Sequence, residues 1–154
     1  TFAAAAVRNG TVLQWRYAPA RGETYEAAFV RDTQNPARVR AIAIVRKPTD
    51  TTDPRLKGIK VASLSDLLFR ADDPRAGLAA VAAGERLARR MGADALLCTT
   101  SHPTIEAALK RRAYIKLPVN VHFMVRDPGN KTVLPMEASQ WWMTRGDAFS
   151  DEVF

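Results

Sequence analysis

The hydrophobic period of this chain changes at one short elbow, and that change constrains the fold more than any other feature. In ARVRAIAIVRK, residues 37–47, Val39, Ala41, Ala43 and Val45 share one face, and Arg38, Arg40, Ile42, Ile44 and Arg46 share the other. IKVASLSDLLF, residues 59–69, continues the extended character after the polar hairpin loop PTDTTDPRLKG. From Pro74 to Met91 the run PRAGLAAVAAGERLARRM has helical spacing. Leu78, Val81, Gly84, Ala88 and Met91 line one side, and Glu85, Arg86 and Arg89 the other. Asp73 suits the N-cap, Pro74 the first turn and Gly92 the position after the last. Only RADD, residues 70–73, separates the two periods. A strand feeding a helix through so short an elbow packs that helix back onto its own sheet.

The flanking segments extend this pattern. GTVLQWRYA, residues 10–18, alternates and is rich in β-formers, which predicts a strand with Leu13, Trp15 and Tyr17 on a core face. TYEAAFVRD predicts another after the turn signal PARGE, so three or four strands form an antiparallel meander. Beyond the helix, DALLCTT reads as a short buried strand and HPTIEAALKRRA as a second helix with Pro103 near its start. YIKLPVNVHFMVRD returns to strand character, with Pro118 implying a bulge or an edge, and residues 129–154 form a tail. The expected fold class is α+β: one domain over residues 1–154, with a mostly antiparallel mixed sheet, a central β-α-β unit and helices packed on the sheet.

Composition narrows the function classes. At 154 residues, 47% hydrophobic and 25% charged, the chain matches an ordinary soluble globular domain, and no apolar run approaches the roughly 20 residues needed to span a bilayer. Cys98 is the only cysteine, and in ALLCTT it reads as a buried thiol. With His102 and His122 the only histidines, no metal site is expected. The lack of disulfides fits a cytoplasmic location. Thr1 and TFAAAAV, with no basic region before them, read as the end of a fragment or processing product and not as a signal peptide. The net charge is +7, and the basic residues are spread over the chain, with local knots at Arg86/Arg89/Arg90 and Lys110/Arg111/Arg112. Solvated helix surfaces are the plain reading of these knots, and a phosphate-bearing ligand is the functional one.

The order of elements over residues 10–128, with the ending WWMTRGDAFSD and the opening WRYAP, resembles the GNAT superfamily of N-acyltransferases. In particular it resembles the C-terminal half of tandem GNAT-like proteins of bacterial polysaccharide pathways. The resemblance implies an acyl-CoA-dependent N-acyltransferase, an acetyltransferase using acetyl-CoA or another acyl-CoA on a small-molecule amine acceptor, with a second GNAT-like half or a homodimer as partner. It also implies a cofactor held in a splay between two parallel strands, with its pyrophosphate on the loop before the following helix. The matching positions are Leu68, Phe69, Arg70, Arg75, Ala76 and Gly77. Asp73 stands where that loop carries a glycine, Arg75 where it carries a second small residue, and Leu109 where the family places a tyrosine acid. These departures imply an alternative, a non-catalytic half that binds acceptor or a partner domain. Fem-type transfer from aminoacyl-tRNA ranks last, because the sequence has no basic groove interleaved with aromatics, and nucleic acid is not an expected partner.

Acyl transfer to an amine needs a base and oxyanion donors. Asp66, His102 and Asp147 are the candidate bases, with Glu106 behind them, and backbone N–H groups over residues 67–69 are candidate donors. Asp66 interrupts an apolar strand, so it has either a structural partner, Arg16 or a hydroxyl, or a functional task. His102 suits a helix cap, and Asp147 suits a turn beside Gly146. Adjacent Trp141 and Trp142 point to opposite sides if extended, one toward the core and the other toward a partner half.

Overall fold

The computed structural model describes residues 4–18, 25–50, 54, 57–118, 135 and 137–147. Among them the chain forms β1 (Ala4–Ala5), α1 (Gly10–Tyr17), β2 (Tyr25–Arg31), β3 (Val39–Asp50) and β4 (Lys60–Phe69). There follow α2 (Pro74–Arg90), β5 (Ala95–Cys98), α3 (Pro103–Arg111) and β6 (Trp141–Trp142). Four strands make a mixed sheet in the order β2-β3-β4-β5, antiparallel except for the parallel pair β4/β5. β1 and β6 make a second, two-stranded parallel sheet. The α+β class and the β-α-β unit expected from the change of period are both present.

The core lies between one face of this sheet and α2. Ala41, Ala43, Val45, Leu64 and Leu67 meet Ala80, Val81, Leu87 and Ala88, all buried. Small residues on α2 let the helix lie close: a Cβ added at Gly84 would stand 2.7 Å from Leu64 Cδ1 and 3.5 Å from Ala43 Cβ. Full burial of Val81 or Leu87 contributes roughly 1.5–3 kcal/mol each. The buried arc is rotated from the expected one. Ala76, Gly77, Ala80 and Ala83 take the contact, while Leu78 and Met91 are half-buried, because close packing favours the small side chains. Asp73 caps α2 by accepting from the Ala76 N–H at 3.0 Å, and Gly92 leaves the helix with a φ of 80°.

Four expectations need correction. β5, expected as a buried strand around a buried thiol, is half-buried along its length, Cys98 included. Residues 10–17 are a helix, not a strand: the Asn9 side chain accepts from the Val12 N–H at 2.9 Å, and Leu13 N–H donates to the Asn9 carbonyl. An N-cap with local hydrogen bonds outweighs the β-propensity of so short a segment. No residue of this helix is buried, and Trp15 is 60% exposed, outside the core. The loop expected at PTDTTDPRLKG begins later, because β3 runs on through Pro48 to Asp50, with a register shift between Arg46 and Thr49 where Pro48 donates no hydrogen bond. Residues 114–118 carry no strand, and the rest of the strand expected over 114–127 lies outside the described residues. Among the described residues, no helix is long and apolar enough to cross a membrane.

Candidate functional site

β4 and β5 pair over the whole of β5, from Val61↔Ala95 to Leu64↔Cys98; β4 continues to Phe69, while the chain after Cys98 no longer pairs with it and leaves a gap beside its second half. The divergence starts at a bulge. β3 pairs Val45 with Leu64 and Ile44 with Asp66, which leaves Ser65 as the extra residue. A bulge bends and twists its strand, and here it turns Asp66 into the gap between the separating strands.

The gap holds the C-terminal segment. Trp142, 3% exposed, donates from Nε1 to the Leu67 carbonyl at 3.1 Å, and its ring meets Phe69 edge-on with centroids 4.9 Å apart. On the β5 side, Ser101 Oγ donates to the Trp141 carbonyl at 2.7 Å, and Thr100 bridges Thr144. Trp142 takes the core side, as adjacent extended tryptophans predict. Trp141 is half-buried and donates to the Pro135 carbonyl.

At the mouth of the gap, Asp66 and Asp147 are joined by one guanidinium. Arg8 Nε donates to Asp66 Oδ1 at 3.1 Å, and its Nη2 forms a short ion pair with Asp147 Oδ2. Asp66 also accepts from Thr144 Oγ1 at 2.9 Å, from the Tyr17 hydroxyl at 3.1 Å and from the Leu67 N–H at 3.1 Å. Asp147 Oδ2 accepts from the Thr144 N–H at 2.8 Å, and the Asp147 N–H donates to the Thr144 carbonyl at 3.0 Å, closing a 3₁₀ turn over Arg145–Asp147. This turn sits directly on the bulge, since a Cβ at Gly146 would overlap the Tyr17 hydroxyl and stand 2.9 Å from the Ser65 carbonyl oxygen. Burial pushes the Asp66 carboxyl above the ordinary aspartate value. Arg8 and Thr144 pull it down, and the nearby Asp147 adds to the rise.

Of the candidate bases, the fold brings Asp66 and Asp147 together. Asp66 has the structural partners its position demands: the expected hydroxyl is there twice, from Thr144 and Tyr17, and Arg8 adds a cation. His102 lies on the far side of Trp142, with ring centroids 4.9 Å apart, and caps α3: its Nδ1 accepts from the Thr104 N–H at 3.2 Å. That contact leaves Nδ1 no free lone pair for a proton. Glu106 is on the surface, its pKa lowered by Lys110 and Lys116.

The expected cofactor residues are spread over the elbow. Arg70 is exposed and forks onto Asp72, at 2.9 and 2.7 Å. Phe69 packs against Gly77, where an added Cβ would lie 2.6 Å from the ring. Leu68 is half-buried, Ala76 is buried in the core, and Arg75 is exposed. A helix N-terminus attracts an anion through its unpaired N–H groups. Here Asp73 supplies the anion itself, taking the Ala76 N–H and pairing with Arg40. Those two contacts, the Arg40 hydrogen bond foremost, hold its carboxyl below the usual range. Leu109, at the position expected to hold a tyrosine acid, is buried in the core. The Tyr114 hydroxyl is buried with no hydrogen-bond partner among the described residues, and burial raises its pKa.

Arg8, Tyr17, Thr144 and the gap-filling role of Trp142 are the site features missed in the sequence. Thr144 and Trp142 lie inside the WWMTRGD stretch already singled out, whereas Arg8 stands in a segment with no period to mark it. Among the described residues, no cluster of three or more His, Cys, Asp or Glu side chains is arranged to hold a metal ion. No protein-family model, curated protein or solved structure matches the chain.

Proposed function

We propose that the chain is a GNAT-like half without acyl-transfer chemistry of its own, which binds acceptor or a partner half in a bacterial polysaccharide pathway. One observation carries this reading: Trp142 fills the gap between β4 and β5 and spends its N–H on the Leu67 carbonyl. In a GNAT-like fold that gap would receive the acyl-pantetheine arm. The elbow agrees, because Asp73 already occupies the helix N-terminus that would hold the pyrophosphate. A carboxylate there repels a phosphate, and Pro74 removes one donor.

A second reading, an acyl-CoA-dependent N-acetyltransferase, is favoured by a different observation. Asp66 is a buried carboxyl with a raised pKa at the point where two parallel strands separate, as a general base for an amine acceptor requires. Its acceptor positions are filled by Arg8, Thr144, Tyr17 and the Leu67 N–H, so it would first have to release one of them.

Calorimetric titration with acetyl-CoA and with CoA separates the two. The wild type is expected to take up neither at millimolar ligand. Saturable binding that disappears in Arg70→Ala and Arg75→Ala would overturn the non-catalytic reading in favour of the transferase.

A further inference from the structure

Arg86, Arg89 and Arg90 occupy the solvent side of the last turns of α2 and engage no carboxylate among the described residues. Arg111, at the end of α3, is also exposed and engages no carboxylate among the described residues. The two helix ends are neighbours, because Arg112 reaches across from the end of α3 to Glu85 on α2. Between residues 85 and 116, seven cationic residues stand against three carboxylates. Glu85 is taken by Arg112, Glu106 by Lys110 and Lys116, and Asp94 accepts the Lys60 N–H. Basic residues in a last turn complement the helix dipole, as Arg89, Arg90 and Arg111 do; Arg86 lies a turn earlier, outside that role.

The second observation is apolar. Ala113 adopts a φ of 62°, a conformation that ordinary side chains rarely take, and it turns the chain sharply out of α3. Tyr114 then packs against the core, while Ile115 and Leu117 stand in solvent at 85% and 59% exposure. Lys116, between them, is tied back to Glu106 on α3. Two aliphatic side chains therefore project beside a cationic surface held by two packed helices.

We propose that this surface attaches the protein peripherally to an anionic lipid membrane, with the arginines on headgroup phosphates and Ile115 and Leu117 inserted at the acyl boundary. Charge complementarity supplies long-range attraction, and protruding aliphatics supply what a phosphate surface alone does not reward. A single-stranded nucleic acid would instead call for aromatic rings on which bases stack, and the exposed residues of this patch include none.

The test is flotation of the full chain with phosphatidylcholine vesicles, with and without phosphatidylglycerol. Binding is expected only with phosphatidylglycerol. It should be lost when salt rises from about 0.1 to about 1 M, which shortens the screening length from about 10 to about 3 Å. Replacing Arg86, Arg89 and Arg90 together by Gln is expected to weaken it on the order of 100-fold, each charge near the surface being worth about fivefold. Ile115→Ser with Leu117→Ser should weaken it about tenfold at unchanged charge. A charge-matched control, Arg31→Gln, Arg38→Gln and Lys57→Gln, should change it far less. Equal binding to neutral vesicles, no binding to either, a control as weak as the α2 variant, or tighter binding of single-stranded RNA than of vesicles would each overturn the proposal.

Discussion

Replacing Arg8 by Gln removes the one cation between two carboxylates. The Arg8 side chain is 10% exposed, Asp66 3% and Asp147 14%, so this is a desolvated cluster and not a surface pair. Leaving a buried carboxylate without its cation costs about 3–5 kcal/mol. Asp66 keeps the Thr144, Tyr17 and Leu67 donors, which places the expected loss near the low end, about 3 kcal/mol at about pH 7. The loss should depend on pH. The folded Asp66 carboxyl holds its proton more tightly than the unfolded chain does, and removing Arg8 strengthens that hold. The protonated form thus stabilises the fold fully below the unfolded value of about 3.9, and this contribution is lost as pH rises through the folded value. The gap between variant and wild type should accordingly narrow on acidification. Urea unfolding near neutral pH and in mild acid measures the loss and its narrowing. The double variant Arg8→Gln with Asp66→Asn removes both charges and should recover about 2 kcal/mol of the loss near pH 7. A loss under about 1 kcal/mol near pH 7, or one that does not shrink in acid, would mean that Asp66 is not held by Arg8 and the site has been misread.

Substitutions at two other positions probe the gap and the turn that rests on the bulge. Trp142→Ala should destabilise by about 3–5 kcal/mol, whereas Trp142→Phe, which keeps a ring but strands the Leu67 carbonyl, should lose only about 1–2 kcal/mol. Equal losses in thermal or urea melts would contradict a packed indole. Gly146→Ala forces a methyl into the Tyr17 hydroxyl and the Ser65 backbone, and it should lose at least 1–3 kcal/mol in the same melts, roughly the penalty of overpacking. A neutral result would show that the Arg145–Asp147 turn does not rest on the bulge.

What the sequence disclosed follows from the range of the interactions involved. β3 and α2 carry long periodic patterns, β4 is a long extended apolar run, and the Asp73 cap and Gly92 exit are local, so the β-α-β unit is legible. α1 is not, because eight residues of β-formers carry a strand-like pattern while a single Asn9 contact decides the helix. β6 is two residues long, too short for any period to register. Asp66 stood out as a polar interruption of an apolar strand, but its partner could not, since Arg8 is 58 residues away in sequence and meets it only through the tertiary fold. The elbow was recognised as a connection in the right place. The Asp73 cap is legible too, whereas its pairing with Arg40, 33 residues away, is supplied only by the structure.

The clasp formed by residues 4–8 and 141–147 also sets an order of events. Arg8 and Asp147 lie 139 residues apart in sequence, and β1 has no strand partner among the described residues except β6. A ribosome releases the chain from its N-terminal end, so the sheet β2-β3-β4 and α2 can consolidate while Arg8 still has no Asp147 to meet. Contacts of such separation reward the chain only after the intervening residues are ordered. The clasp is therefore expected to close last, in synthesis as in refolding. Pulse-labelled hydrogen exchange reads this directly: the Thr144 amide should gain protection after the amides of α2, and simultaneous protection would show that the two ends meet before the sheet is built.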